Sequence, residues 1–168
     1  FRIRNPRYNP VIDVILGQST VSGKECNRGN GSGNAGPGTL CNPGTVNLDH
    51  YGNVYVGDHF LENWGNGRIL EWDARRFPIT LTQAVMGISA DRALFTEGSF
   101  DRGGHFCGDV NSYGTCAPMG FAFDENGYLY VGLNPYASVE NYYPRVWFNP
   151  LGDWQSPPDA KIEDYHSM

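Results

Sequence analysis

Asp58 and His59 stand side by side, an adjacent carboxylate and imidazole of the kind that ligate metals or exchange protons. A metal or hydrolytic centre needs several such groups converging from different parts of a fold. His50, His59, His105 and His166 do not recur at matching positions of the repeat set out below, and no Ser-His-Asp arrangement stands out by spacing. The Glu140-Asn141-Tyr142-Tyr143 loop has no evident acid–base partner. Asp58 and His59 are therefore read as a candidate binding pair, with no catalytic residue assigned. Asp49 and Asp124 precede glycines in two similar turns, where an aspartate accepts backbone N–H bonds. The alternative at those carboxylates is a calcium ligand, and no other cofactor is expected. Trp64, Tyr136, Tyr142, Tyr143 and Trp154 fall in or near inter-strand segments. Aromatic rings there stack on a sugar or bury in a protein interface, or else cover the protein's own core.

The cysteines fall into two pairs, Cys26/Cys41 and Cys107/Cys116. Cys41 lies eight residues before Asp49, and Cys116 lies eight before Asp124. Three connectivities are possible. The local one, Cys26–Cys41 with Cys107–Cys116, is favoured because each pair brackets the same kind of loop. A zinc site is the rival, but Cys-x-x-Cys spacing is missing. Disulfides imply an oxidising compartment, extracellular or periplasmic. Asn30-Gly31-Ser32 is a glycosylation sequon, with Asn30 the acceptor in a glycosylating host.

The elements that position these residues read as short strands. Val46-Asn47-Leu48-Asp49-His50-Tyr51-Gly52-Asn53-Val54-Tyr55-Val56 is strand, tight turn, strand, with apolar residues alternating on either side of the turn. Phe121 to Gly132 has the same grammar 75 residues later. Arg68–Asp73 and Leu81–Gly87 read as the third and fourth strands of the first unit, and Ala90–Phe95 as a helical turn. Arg145–Pro150 matches both Arg68–Asp73 and the opening Phe1–Pro6. Pro158–Ile162 sits where Val11–Leu16 sat. A Gly-rich segment, residues 19–40, cannot hold itself rigid without a disulfide and carries Cys26 just ahead of Cys41, and residues 88–115 carry Cys107 just ahead of Cys116.

The expected fold class is all-β. One domain, 1–168, holds four-stranded antiparallel units at 41–87 and 116–163, preceded at 1–18 by the last two strands of another. Four-stranded units with long connections are the pattern of propeller blades. Two and a half blades make an incomplete ring, so further blades lie outside this chain or other copies supply them. Phe1–Pro6 reads as strand from its first residue, as in a processed product or a piece of something longer.

Composition narrows the partners. The 168 residues are 40% hydrophobic, enough for a core, and 22 glycines with 11 prolines imply many turns. A net charge of −6 without a basic run argues against a nucleic-acid partner. No apolar run approaches the ~20 residues of a membrane span.

Cys41-Asn42-Pro43-Gly44-Thr45-Val46-Asn47-Leu48-Asp49, then Gly52-Asn53-Val54-Tyr55-Val56-Gly57-Asp58, then Arg68-Ile69-Leu70, resembles an NHL repeat. Pro118 to Asp124, Gly127 to Gly132 and Arg145-Val146 do so again, and Val14-Ile15-Leu16-Gly17-Gln18 resembles the blade-closing segment of secreted NHL proteins. The chain departs from the pattern at Leu133, which stands where Asp58 stands in the first unit. It departs also at Gly87-Ile88 and Glu163-Asp164, which replace Gly17-Gln18. The resemblance implies a β-propeller. Together with the missing catalytic set, it points to a non-enzymatic extracellular binding or structural module that contacts protein or glycan through loops and strand edges, with self-association. The same family includes metal-dependent lyases and hydrolases, the alternative, whose ligands would lie partly outside this chain.

Overall fold

The protein, seen in a computed structural model, is described at residues 1–31, 34–61, 64–77, 84–94, 100–101, 118–133, 145–147 and 160–161. The strands are β1 Arg2–Arg4, β2 Val11–Ile15, β3 Pro43–Leu48, β4 Val54–Leu61, β5 Trp64–Trp72, β6 Val85–Met86, β7 Arg92–Leu94, β8 Pro118–Phe123, β9 Leu129–Leu133, β10 Arg145–Trp147 and β11 Ala160–Lys161. They form three sheets, ordered β1-β2-β6, β3-β4-β5-β7 and β8-β9-β10-β11. Helix is confined to two 3-10 turns among the described residues. The all-β expectation holds, with the second and third sheets antiparallel throughout. No closed ring is formed by the described residues.

The two hairpins fold alike because their turns carry the same groups. Asp49 Oδ1 accepts the N–H of Tyr51 and of Asn53, each at 2.9 Å. Asp124 Oδ1 accepts those of Asn126 and Tyr128, at 2.9 and 2.8 Å. Gly52 and Gly127 occupy the left-handed region, φ 84° and 85°, that side chains avoid. Six residues on from each aspartate, the Tyr55 and Tyr130 hydroxyls donate to the other carboxylate oxygen at 3.3 Å. The ladders repeat as well. Pro43 faces Asp58 and Leu48 faces Val54, as Pro118 faces Leu133 and Phe123 faces Leu129, each with a register shift just after the proline. The 75-residue repeat is thus visible in hydrogen bonds and register.

Three expectations are corrected. Residues 84–87, the described part of the expected strand Leu81–Gly87, do not supply the fourth strand of the middle sheet. That strand is β7, within the segment read as a helical turn, while β6 runs parallel to β2 in the first sheet. The reason is burial: Ala93 and Leu94 of β7 complete opposite faces of the middle sheet, whereas Met86 stays 41% exposed. The third strands also align differently. Trp147 faces Leu129 as Trp72 faces Val54, so Arg145 is the counterpart of Leu70 rather than of Arg68. Finally, residues 19–31 and 34–40 are pinned by more than a disulfide. Asn27 N–H donates to the Leu40 carbonyl at 3.0 Å, and the Gln18 amide donates to the Glu25 carbonyl at 2.9 Å.

The middle sheet buries both faces. Tyr55, Ile69 and Leu94 pack on Phe121, Leu129 and Val131 of the third sheet. Val56, Leu70, Trp72 and Ala93 pack on Val14 of the first sheet and on Leu40, Phe77 and Ala90 of the connections. Strand alternation sends adjacent residues of β4 and β5 to opposite cores. Each fully buried aliphatic or aromatic side chain contributes about 1.5–3 kcal/mol. The Trp72 indole N–H reaches the Ile88 carbonyl at 3.1 Å, which satisfies its one polar group.

Asp13, buried on β2, is held by a bidentate Arg2 at 2.9 Å on both oxygens, and Arg2 also donates to the Phe77 carbonyl. The Arg2 hydrogen bonds hold the Asp13 carboxyl below the usual range, against burial, which works to raise it. A depressed folded-state value contributes stability above the unfolded pKa of about 4, and that contribution is lost as pH falls through the folded value. Asp13→Asn is therefore expected to be less stable than wild type at neutral pH, with the gap narrowing below about pH 4. Denaturant midpoints of both proteins across that range check this, and a pH-independent gap would contradict it.

Candidate functional site

Asp58 lies on β4 directly opposite Arg68 of β5, and both side chains are fully buried. Asp58 Oδ1 accepts the N–H groups of Cys41 and Asn42 at 2.9 and 3.0 Å. Oδ2 accepts the Asn66 amide at 2.6 Å and Arg68 Nε and Nη2 at 3.3 Å each. Arg68 continues outward, donating to the carbonyls of Gly36 and Thr39 at 3.1 and 2.8 Å and to that of Phe100. Burial pushes the Arg68 pKa down and Asp58 holds it up, and a guanidinium keeps its proton throughout.

Asn66 extends the set. Its side chain exchanges amide hydrogen bonds with that of Asn27, at 2.8 and 3.0 Å, and Asn27 also donates to the Gly31 carbonyl at 2.9 Å. Asn27 is fully buried in the left-handed region at φ 49°, beside Cys26, and Cys26 is bonded to Cys41 as expected. A second arginine closes the outer side: Arg28 Nη2 donates to the carbonyls of Gly38 and Gly87 at 2.5 and 2.6 Å. Gly87 has φ 61°, which side chains avoid, and a Cβ there would also stand 2.4 Å from that nitrogen.

The arrangement is an internal clamp. It joins the disulfide-closed loop to the β4–β5 hairpin, and the Asp58 carboxylate, with five donors on two oxygens, is consumed by the fold. Such a saturated, low-dielectric network specifies one packing. Around Tyr55 a second polar layer forms, running from buried Glu71 out to the exposed Arg92. Arg92 pairs with Glu71 at 2.7 Å, and burial, then the charges of Glu71 and Asp49, push the Tyr55 phenol up, so it remains a neutral donor.

The remaining expected residues are spread out. His59 sits at the register shift between Asp58 and Phe60, and Trp64 lies opposite Leu61 in the same hairpin. Asn30 is exposed at the end of the Cys26–Gly29 turn, its carbonyl accepting the Asn34 amide. Asp49 has both oxygens taken by turn donors. Cys107, Cys116, Tyr136, Tyr142 and Tyr143 lie outside the described residues. Among the described residues no group of three or more His, Cys, Asp or Glu side chains is arranged to hold a metal ion, and no helix is long and apolar enough to cross a membrane.

Sequence reading missed Asn27, Asn66 and Arg68. Arg68 was recoverable in principle, since hairpin register sets it across from Asp58. The two asparagines carry no local signal beyond Asn27's place next to Cys26.

Fold and clamp together define an all-β repeat protein with a disulfide-anchored loop. Comparison with protein-family models, curated proteins and solved structures finds no significant match.

Proposed function

We propose that the protein is a non-enzymatic extracellular binding or structural module of NHL-like propeller blades. It engages protein or glycan through loops and strand edges, and it assembles with further blades or copies. The observation that carries this reading is the clamp: the carboxylate best placed for chemistry is buried and fully used in holding a loop in place. The Cys26–Cys41 bond supports an oxidising compartment. Rigidified loops on a repeat scaffold are the parts such a module presents.

The test is metal dependence together with native mass. Protein purified without chelator is expected to carry no stoichiometric zinc or calcium, and chelation is expected to leave its thermal midpoint unmoved. Light scattering is expected to give a small multiple of 18.6 kDa. One bound metal per chain, with a hydrolase or lyase activity lost on chelation, would replace this reading by the metal-dependent one.

A further inference from the structure

Val46 and Leu48 of β3 are 67% and 58% exposed. Their counterparts 75 residues on, Phe121 and Phe123 of β8, are covered. Phe121 is buried among Tyr55, Ile69 and Leu94, and Phe123 packs on the same cluster with its ring 4.7 Å from that of Tyr55. The Asn47 amide donates to the Phe121 carbonyl across the sheets at 2.7 Å. Both Asn47 and Tyr55 belong to the β3–β4 hairpin of the preceding sheet. Over β8 this hairpin of the repeat supplies the Asn47 amide and the Tyr55 ring, beside Ile69 of β5 and Leu94 of β7.

On the other side of the middle sheet the geometry stops short. The sheet there is ordered β1-β2-β6. By sequence, β1 and β2 match the third and fourth strands of the repeat, so among the described residues the first two strands have no counterpart in it. Val56 and Leu70, toward the β5 side of this face, are buried against the first sheet, whereas Val46 and Leu48, on the edge strand β3, are left to water.

We infer that the Val46–Leu48 face of β3 is the seat of a β-hairpin of the β3–β4 type supplied by polypeptide other than residues 1–168. Its chemistry follows from the repeat. The first strand carries an asparagine whose amide donates to the Val46 carbonyl. Then comes an aspartate–glycine turn, and the second strand carries an aromatic residue that covers Leu48. A second copy of this chain does not fit as the source, because its β3–β4 and β8–β9 hairpins each bring along a third strand, and the first sheet already stands in that place over the middle sheet. This inference rests on the binding-module reading and names its partner.

The experiment uses the whole chain and a synthetic peptide of residues 43–58 as probe. Saturable binding with one peptide per chain is expected. Val46→Asp with Leu48→Asp in the protein should weaken it at least tenfold, as should Asn47→Ala with Tyr55→Ala in the peptide. Because the protein substitutions introduce charge on an exposed strand, Val46→Thr with Leu48→Thr serves as a milder variant, and far-UV circular dichroism confirms folding of each. Absence of saturable binding, or equal binding by the substituted proteins, overturns the inference. So does a native dimer dispersed by Val46→Asp with Leu48→Asp, which would make a second copy the occupant. Peptide binding by a protein that also proves metal-dependent would sink the module reading and leave the seat. Failure of the peptide with an inert, metal-free protein would sink the seat alone.

Discussion

Asp58→Ala is expected to lower the unfolding free energy by about 3–5 kcal/mol, the usual effect of removing one partner of a buried ion pair. The physical reason lies in what is left behind. Arg68 is fully buried and stays charged, with Asp58 as its ion-pair partner. Cys41 and Asn42 N–H and the Asn66 amide lose their acceptor at the same time. Each unsatisfied buried donor costs about 1–3 kcal/mol, though such terms do not add within one network. Asp58→Asn keeps an acceptor and loses the charge, so its effect should be smaller. Asp58→Leu combined with Arg68→Met removes both charges, and a buried pair replaced in this way is often neutral. Here recovery should be partial, because the carbonyls of Gly36, Thr39 and Phe100 lose their donor. A double-mutant cycle from denaturant unfolding measures the coupling. If Asp58→Ala lies within about 1 kcal/mol of wild type, the clamp does not hold the loop and Asp58 is free for another role.

Cys26→Ser with Cys41→Ser is the second large effect. The bond closes a loop of sequence separation 15, worth roughly 3 kcal/mol in the chain-entropy model. For a chain of this size that corresponds to a fall in melting temperature of roughly 6–12 °C. The loss should exceed that of a loop held by the bond alone. Asn27, next to Cys26, and the N–H of Cys41 both feed the Asp58 set, so an opened loop loosens the clamp. Thermal unfolding of the double serine variant, with and without reductant, checks this. Reductant should bring the wild type to the melting temperature of the variant in the same reductant, and a shift of the variant itself on reduction would report a second bridge at Cys107–Cys116. A variant that melts with wild type would mean the hydrogen bonds suffice without the bond.

The hairpins and their repeat were legible in the sequence because their causes are local. An aspartate, a glycine at positive φ and period-two apolar residues sit within about a dozen positions of one another, and these fix turn and register together. The Cys26–Cys41 pairing was legible for a similar reason: its loop is short and brackets a defined segment. The fourth strand of the middle sheet was not. Leu81–Gly87 and Arg92–Leu94 both carry apolar residues, and only the facing cores decide which one pairs with β5. The 75-residue period read as two four-stranded units, and two four-stranded sheets are present among the described residues.

The candidate site divides along the same line. Sequence brought forward Asp58 as a carboxylate with chemical potential, and it could not say where the oxygens would point. Their direction depends on Arg68 across the hairpin, on Cys41 and Asn42 at a loop 16 or 17 residues away, and on Asn66 relaying to Asn27 over a separation of 39. Local patterning by itself determined an all-β chain of repeated hairpins with a disulfide-closed loop. Tertiary structure decided that Asp58 faces inward, that β7 rather than the Leu81–Gly87 segment completes the middle sheet, and that Val46 and Leu48 remain uncovered. Burial is a property of which sheets meet, and contacts so distant in sequence leave no period or turn signal for a sequence to carry.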